Sequence, residues 1–253
     1  MGHADLERPD KLAALHSGAY AHRGLHDTGV PENSLAAFRA AIAAGLGIEC
    51  DIRKSSDGRA IVFHDADLAR LTGREGAMGA LPVGELTATT LTGSEETIPT
   101  LRDVLELVDG KVPLLLELKS DDRRPVAALC RAVRRDLDGY TGAVGVMSFD
   151  PRIPRWFAGK EPEVLRGLVV TEQNARTLID SIKRRLSVSH AKPDFLALDI
   201  RDLPSGLAKT QVRKGRALFT WTVRNAAQVE TALQAGAVPI AEGPGVAAWE
   251  AGA

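Results

Sequence analysis

The sequence holds no long apolar run. Its longest stretches, such as Val112 to Leu116, fall far short of the roughly 18–20 residues that a transmembrane helix needs, which excludes membrane insertion by a helical span. The opening residues, MGHADLERPDKLAAL, are charged throughout and lack the apolar stretch of a secretory signal. Leu6 also breaks the N-myristoylation pattern. Cysteine is scarce: Cys50 and Cys130 are the only two, in neither metal-binding nor redox spacing. A reducing, cytoplasmic setting is the expectation. Charge of one sign is missing too. Lys plus Arg number 32 against 33 Asp plus Glu, a net charge of −1, so no global field favours nucleic acid or an anionic membrane, and any phosphate must be met by local charge. No low-complexity segment, interdomain linker or glycine-rich dinucleotide loop is found.

What is there is an alternation of apolar strand and amphipathic helix, within a length of 253 residues that suits a single large domain over 1–253. Strands are predicted near 19–23, 46–52, 113–119, 143–149, 165–170, 195–200, 217–223 and 238–242. Helical patterns lie between them near 34–44, 100–109, 123–137, 151–158, 174–188, 203–213 and 225–235, with a short one after Gly245. Eight strands alternating with eight helices predict an α/β fold with a parallel sheet closed into a (β/α)₈ TIM barrel. A doubly wound open sheet is the fallback, weakened by the missing glycine-rich loop.

Two segments break the alternation. Residues 53–64 are too short for a helical crossover and contain Asp57-Gly58, a strong hairpin signal. A two-residue turn there predicts an antiparallel extension of strand two that pairs Ser56 with Arg59 and sets Asp51 opposite His64. Residues 66–98 are rich in Gly and Thr without a strong period. So long an insertion is usually functional, and leaving the hairpin it is expected to lie over the barrel mouth as a lid.

Barrel enzymes carry their chemistry at the C-terminal strand ends, and here those ends are polar. They read His22-Arg23-Gly24, Glu49-Cys50-Asp51, Glu117-Leu118-Lys119, Ser148-Phe149, Asp199, Trp221 and Glu242. Because side chains alternate along a strand, Glu49 and Asp51 share one face, and so do Glu117 and Lys119. Pointed inward, three carboxylates meet at adjacent strands, an arrangement that needs a positive charge to neutralise it. All-oxygen ligands without thiolate point to Mg²⁺ or Ca²⁺. Taken singly, E-x-D reads as a solvated strand end and E-L-K as a surface ion pair. His22 and His64 are the histidines placed at the rim, whereas His3, His16, His26 and His190 lie in terminal, loop or helix-end positions. Beside a carboxylate cluster these two suit acid and base roles, since imidazole titrates near neutrality. Arg23 offers a planar fork for phosphate oxygens, or else pairs with one of the carboxylates. Within Pro31-Glu32-Asn33-Ser34 the structural reading is preferred, with Asn33 or Ser34 capping the next helix. Trp221 reads equally as core filling or as a wall for an organic group.

Taken together, AHRG, PENSLAAF, AGLGIECDIRKSSDG, IVFHDADLARLTG, IPTLRDVLEL, PLLLELK, SFDP and TWTVRN, in that order from about Ala21 to Asn225, resemble the glycerophosphodiester phosphodiesterases. The resemblance implies a barrel with an insertion after the His-Asp motif. It implies hydrolysis of a small-molecule glycerophosphodiester to glycerol 3-phosphate and an alcohol, with Mg²⁺ or Ca²⁺. His22 and His64 would be the acid–base pair, Glu49, Asp51 and Glu117 the metal ligands, and Arg23 and Lys119 the phosphate contacts. Two departures stand out. Ser34 replaces the usual Thr after Pro-Glu-Asn, and Ala241-Glu242-Gly243-Pro244 replaces the usual Thr-Asp-x-Pro, which bears on the polar alcohol side of the pocket. The competing readings are a lysophospholipase D, whose apolar channel the aromatic-free 66–98 segment does not supply; an inactive barrel kept for binding; and a glycosidase, which leaves the histidines and Lys119 unexplained.

Overall fold

The computed structural model describes residues 7–120, 125–173 and 177–252. His3 and the predicted helix starts at 123–124 and 174–176 lie outside the described residues. Among the described residues the strands are β1 (Tyr20–His22), β2 (Gly47–Lys54), β3 (Ala60–Val62), β4 (Leu114–Leu118), β5 (Val144–Ser148), β6 (Leu165–Val170), β7 (Phe195–Asp199), β8 (Ala217–Val223) and β9 (Ala237–Ala241). Their order is β1-β9-β8-β7-β6-β5-β4-β2-β3, and a further β1–β2 pairing closes the ring. Every ring pairing is parallel; only β3, outside the ring, runs antiparallel to β2. The fold is therefore the predicted (β/α)₈ barrel. Its helices are α1 (Arg8–Leu15), α2 (Leu35–Ala43), α3 (Ala69–Thr72), α4 (Val83–Thr87), α5 (Leu101–Val108), α6 (Ala127–Leu137), α7 (Arg152–Lys160), α8 (Leu178–Ala191), α9 (Gly206–Arg213), α10 (Ala226–Gln234) and α11 (Pro244–Glu250).

The inward faces of the strands are apolar at the base and polar or aromatic at the top. Tyr20, Leu115, Met147, Phe219 and Ile240 belong to the buried barrel interior. The residue two positions on in each strand, on the same face, is His22, Glu117, Phe149, Trp221 or Glu242. Glycines make room for the large rings: a Cβ on Gly47 would meet the Tyr20 ring at 2.7 Å, and one on Gly167 would meet Phe195 at 2.1 Å. Below this layer α1, which the strand–helix alternation does not predict, plugs the N-terminal end. Leu15 is wholly buried in the interior cluster, and the His16 ring nitrogen Nε2 lies 3.0 Å from the carbonyl of Leu218. Arg8 anchors the helix to Asp194 at 2.7 Å.

The 53–64 hairpin is present, but its register differs from the expected one. Lys54 pairs with Ala60, Arg53 with Ile61 and Ile52 with Val62, so Asp51 stands opposite Phe63, whose N–H donates to the Asp51 carbonyl at 2.9 Å. The turn has three residues. Ser55 N–H donates to Arg59 O at 3.0 Å and Gly58 N–H to Ser55 O at 3.1 Å. The Ser55 hydroxyl also donates to Asp57 at 2.6 Å and accepts from Arg59 N–H at 2.9 Å. Gly58, at φ 82°, is the left-handed residue that such a loop requires. The slip does not turn His64 away, because β3 ends at Val62 and the chain bends; Arg53 Nε donates to the His64 carbonyl at 2.7 Å and holds the bend.

Residues 66–98 form no bare loop. They carry α3, α4 and a single 3₁₀ turn at Met78–Ala80. With Ile61 and Phe63 they bury Leu68, Met78, Leu86, Leu91 and Ile98 in a core of their own.

Candidate active site

The polar strand ends converge at the C-terminal mouth. Register sets His22 beside Glu49 and Asp51 beside Glu117. Oxygen atoms of Glu49, Asp51 and Glu117 lie within 4.8 Å of one another, and the first two residues are only 1% exposed. Lys119 Nζ sits 2.9 Å from Asp51 Oδ1 and 2.6 Å from Glu117 Oε1. Arg23 Nε lies 3.2 Å from Asp51 Oδ2. These charges settle unevenly. Burial raises every buried carboxyl, but Lys119 and Arg23 outweigh it at Asp51 and pull it down to about 2. Glu49, buried and facing the Asp51 charge, is pushed up to about 7, and burial also raises Glu117. Lys119, shared between two of the three carboxylates, and Arg23, shared with Glu32, leave the trio short of positive charge. Three oxygen donors of this hardness fit a divalent cation.

The chain approaches this cluster under backbone constraint. Arg23 adopts φ 58° and Gly24 φ 81°. A Cβ on Gly24 would strike the Ala37 Cβ at 2.8 Å and Phe38 at 2.9 Å. Left-handed backbone at a bulky non-glycine residue is uncommon and gathers at functional sites. Here it aims the Arg23 N–H at Glu49 Oε2, 3.2 Å away. Within 31–34 the structural reading holds for only one residue. Ser34 caps α2, accepting from Ala37 N–H at 3.1 Å. Asn33, at φ 58°, is released to grip Asp51: its Nδ2 donates to Oδ2 at 2.9 Å and its Oδ1 accepts from the Asp51 N–H at 3.2 Å. Glu32 accepts from Arg23 at 2.8 Å and from Arg70 at 2.8 and 3.0 Å.

Both histidines line one cavity of about 320 Å³, together with Arg23, Glu49, Glu117, Lys119 and Trp221. Each is held at Nδ1 by its own carboxylate, His22 by Glu242 at 2.6 Å and His64 by Asp65 at 2.7 Å. Their surroundings shift them oppositely. Burial lowers His22, but the hydrogen bond to Glu242 and the charge of Glu49 outweigh it and leave it raised. Burial also lowers His64, and with Lys119 and Arg23 acting against Asp51 and Asp65 it stays lowered. Arg70 of α3 closes a chain of charge: it donates to Asp65 at 2.6 Å and to Glu32, which in turn holds Arg23.

All eight sequence-predicted site residues therefore come together. Glu242 holds His22 through one oxygen, and its other oxygen takes Arg224 at 2.6 Å. Asp199 stays apart, paired with Arg201 at 2.6 Å, and Ser148 donates to the Leu118 carbonyl. Trp221 donates its N–H to the Ala197 carbonyl at 3.3 Å and meets Phe149 edge-on at 5.4 Å. Sequence reasoning missed the supporting set: Glu32, Asn33, Asp65, Arg70 and Phe149. The available signal was Pro-Glu-Asn-Ser itself, since a helix needs one cap and two other polar residues remained.

Known proteins share the chain's sequence pattern and its fold. Residues 22–241 match the glycerophosphoryl diester phosphodiesterase family. A glycerophosphodiester phosphodiesterase of Caldanaerobacter subterraneus is 40% identical over 108 residues, 40% of this chain and 44% of that protein. The bovine glycerophosphodiester phosphodiesterase 1 is 30% identical over 204 residues, 75% and 55% of the two chains. The chain thus spans about half the length of the curated relatives it matches. Among solved structures, an Oleispira antarctica phosphodiesterase in complex with the product sn-glycerol-3-phosphate superposes with TM-score 0.82 at 22% identity, over 95% of this chain and 98% of that one. The glycerophosphodiester phosphodiesterase of Thermotoga maritima gives 0.71 at 26%, over 89% and 95%. No helix among the described residues is long and apolar enough to cross a membrane.

Proposed function

Because the chain belongs to the glycerophosphoryl diester phosphodiesterase family, we propose that it hydrolyses glycerophosphodiesters to glycerol 3-phosphate and an alcohol at the barrel mouth. The observation that carries the reading is a buried tricarboxylate, two members of which line one cavity with two carboxylate-held histidines. The product bound by the Oleispira phosphodiesterase supports the choice of substrate.

Glu49, Asp51 and Glu117 would hold the cation, Mg²⁺ or Ca²⁺, and a cation there would supply charge neutralisation at the phosphoryl oxygens. Arg23 and Lys119, which already face those carboxylates, bind the phosphate from either side. His64, lowered and therefore neutral near pH 7, takes the proton from the attacking oxygen at Nε2. His22, whose pKa the hydrogen bond to Glu242 raises, delivers a proton from Nε2 to the departing alkoxide. Trp221 and Phe149 wall the alcohol, and the 66–98 segment covers the mouth. The free, buried Cys50 and Cys130 suit a reducing, cytoplasmic setting.

The test is to incubate the purified protein with a panel of glycerophosphodiesters and each cation while detecting glycerol 3-phosphate. The expected outcome is activity that excess chelator abolishes and Mg²⁺ or Ca²⁺ restores. Full activity in chelator, or no glycerol 3-phosphate from any diester, overturns the reading.

A further inference from the structure

Helix α8 carries its large apolar side chains on the wrong side for a barrel helix. Leu178 is 84% exposed, Ile179 65%, Ile182 57% and Leu186 64%. These positions fall within one third of the helical circumference. Its inner face is held by Val188 and Ala191 alone among its buried residues. Lys183 and Arg185 border the stripe on its two sides, both exposed. The carboxylate of α8, Asp180, is turned to its own N-terminus in a capping box with Thr177. Beyond Arg185 the surface continues into a cleft of about 980 Å³ between α8 and α9 that contains Lys192, Lys209, Arg213 and Lys214. The carboxylate in that lining, Glu172, lies 3.5 Å from Arg184. In a chain of net charge −1 this is a strong local excess of positive charge beside an apolar strip.

We propose that α8 and its basic border are a peripheral docking surface for an anionic lipid bilayer. An interfacial helix buries apolar side chains at the acyl boundary while flanking cations meet the head groups, and this face offers both at once. The two other occupants each use half of it. A second copy across the stripe sets Lys183 and Arg185 against their own counterparts, like charges beside an apolar seam. Nucleic acid engages the basic cleft and leaves four exposed aliphatic side chains in water. The inference is independent of the reaction proposed above, because α8 contributes nothing to the catalytic cavity.

The experiment is flotation of the full chain with vesicles of phosphatidylcholine alone and of equimolar phosphatidylcholine and phosphatidylglycerol. Binding is expected on the anionic vesicles only. It is expected to fade as ionic strength rises from about 0.1 M to about 1 M and the screening length shrinks from about 10 Å to about 3 Å. The triple variant Leu178→Ser, Ile182→Ser, Leu186→Ser changes exposed positions, so it should fold and lose affinity by at least about tenfold. Lys183→Glu and Arg185→Glu should each lower it about fivefold or more. Hydrolysis of a water-soluble diester by these variants should match the parent. Equal binding to both vesicle types, no binding to either, or full retention by the serine variant overturns the proposal. So does a dimer of the parent that the serine variant dissolves, which would mark a second copy as the occupant. Oligonucleotide binding that Arg213→Glu abolishes and the serine variant keeps, with no vesicle binding, would assign the cleft to nucleic acid.

Discussion

His22 and His64 carry the same side chain, yet their settings shift them in opposite directions, and the opposite roles proposed for them rest on that difference. The raised His22 keeps its proton as pH climbs past the usual imidazole range, and the lowered His64 remains neutral as pH falls below it. Activity should therefore rise with pH through the depressed pKa of His64 and fall through the elevated pKa of His22. General acid or base catalysis is typically worth about 10²–10⁴-fold, so His22→Ala and His64→Ala should each cut kcat by that order on a natural diester. On a nitrophenyl ester, whose leaving group needs no proton, His22→Ala should recover and His64→Ala should not; equal recovery would make both histidines phosphate ligands instead. Glu242→Gln tests the division separately. Without the carboxylate the burial of His22 is opposed only by the charges of Glu49 and Asp51, its pKa drops, and the alkaline limb of the pH–kcat/KM profile should move to lower pH while the acid limb stays. An alkaline limb that does not move would show that His22 is not the group titrating there.

At the scale of elements, the barrel was readable because the ring strands and the helices that connect them announce themselves locally, through apolar runs, period and caps. Thr100 with Asp103 and Thr177 with Asp180 form complete capping boxes, and a local rule suffices to find such ends. What was not readable depends on side chains that meet across the fold. The hairpin register turned on the Ser55 hydroxyl, which builds a three-residue loop where Asp-Gly alone suggested two. Helix α1 was hidden because its buried contact is a single leucine in a charged stretch. Arg70 looked like one more charge in an irregular segment, yet it ties α3 to both Glu32 and Asp65. Removing a group that orients reacting residues typically costs about 10–100-fold. Arg70→Met should lower kcat by that order, whereas Arg74→Met, which loses a salt bridge to Glu85 in the same segment, should leave kcat near the parent value. Equal losses in the two variants would reduce Arg70 to a general stabiliser of the segment.

For the molecule as a whole, the tricarboxylate is a source of repulsion within the folded state. A cation that binds only the folded chain adds about 2.7 kcal/mol at about 100 times its Kd, which for a domain of this size lifts Tm by several degrees. Calorimetry with and without Mg²⁺ or Ca²⁺ should show that rise in the parent. In Glu49→Gln the rise should be lost while Tm without cation does not fall, because one of the like charges has gone. A cation-independent Tm in the parent would remove the metal from the account. The hydrogen bond between His22 and Glu242 joins groups 220 positions apart in the chain, from the first strand of the ring and the end of the last. Contacts of such long sequence separation form late, since the loop entropy must be met first. On the proposed mechanism, catalytic competence should therefore be the last thing this chain acquires as it folds: regain of activity should trail the recovery of helical circular dichroism, and a nascent chain still short of its final strand should be inert, whatever the rest of its barrel has achieved.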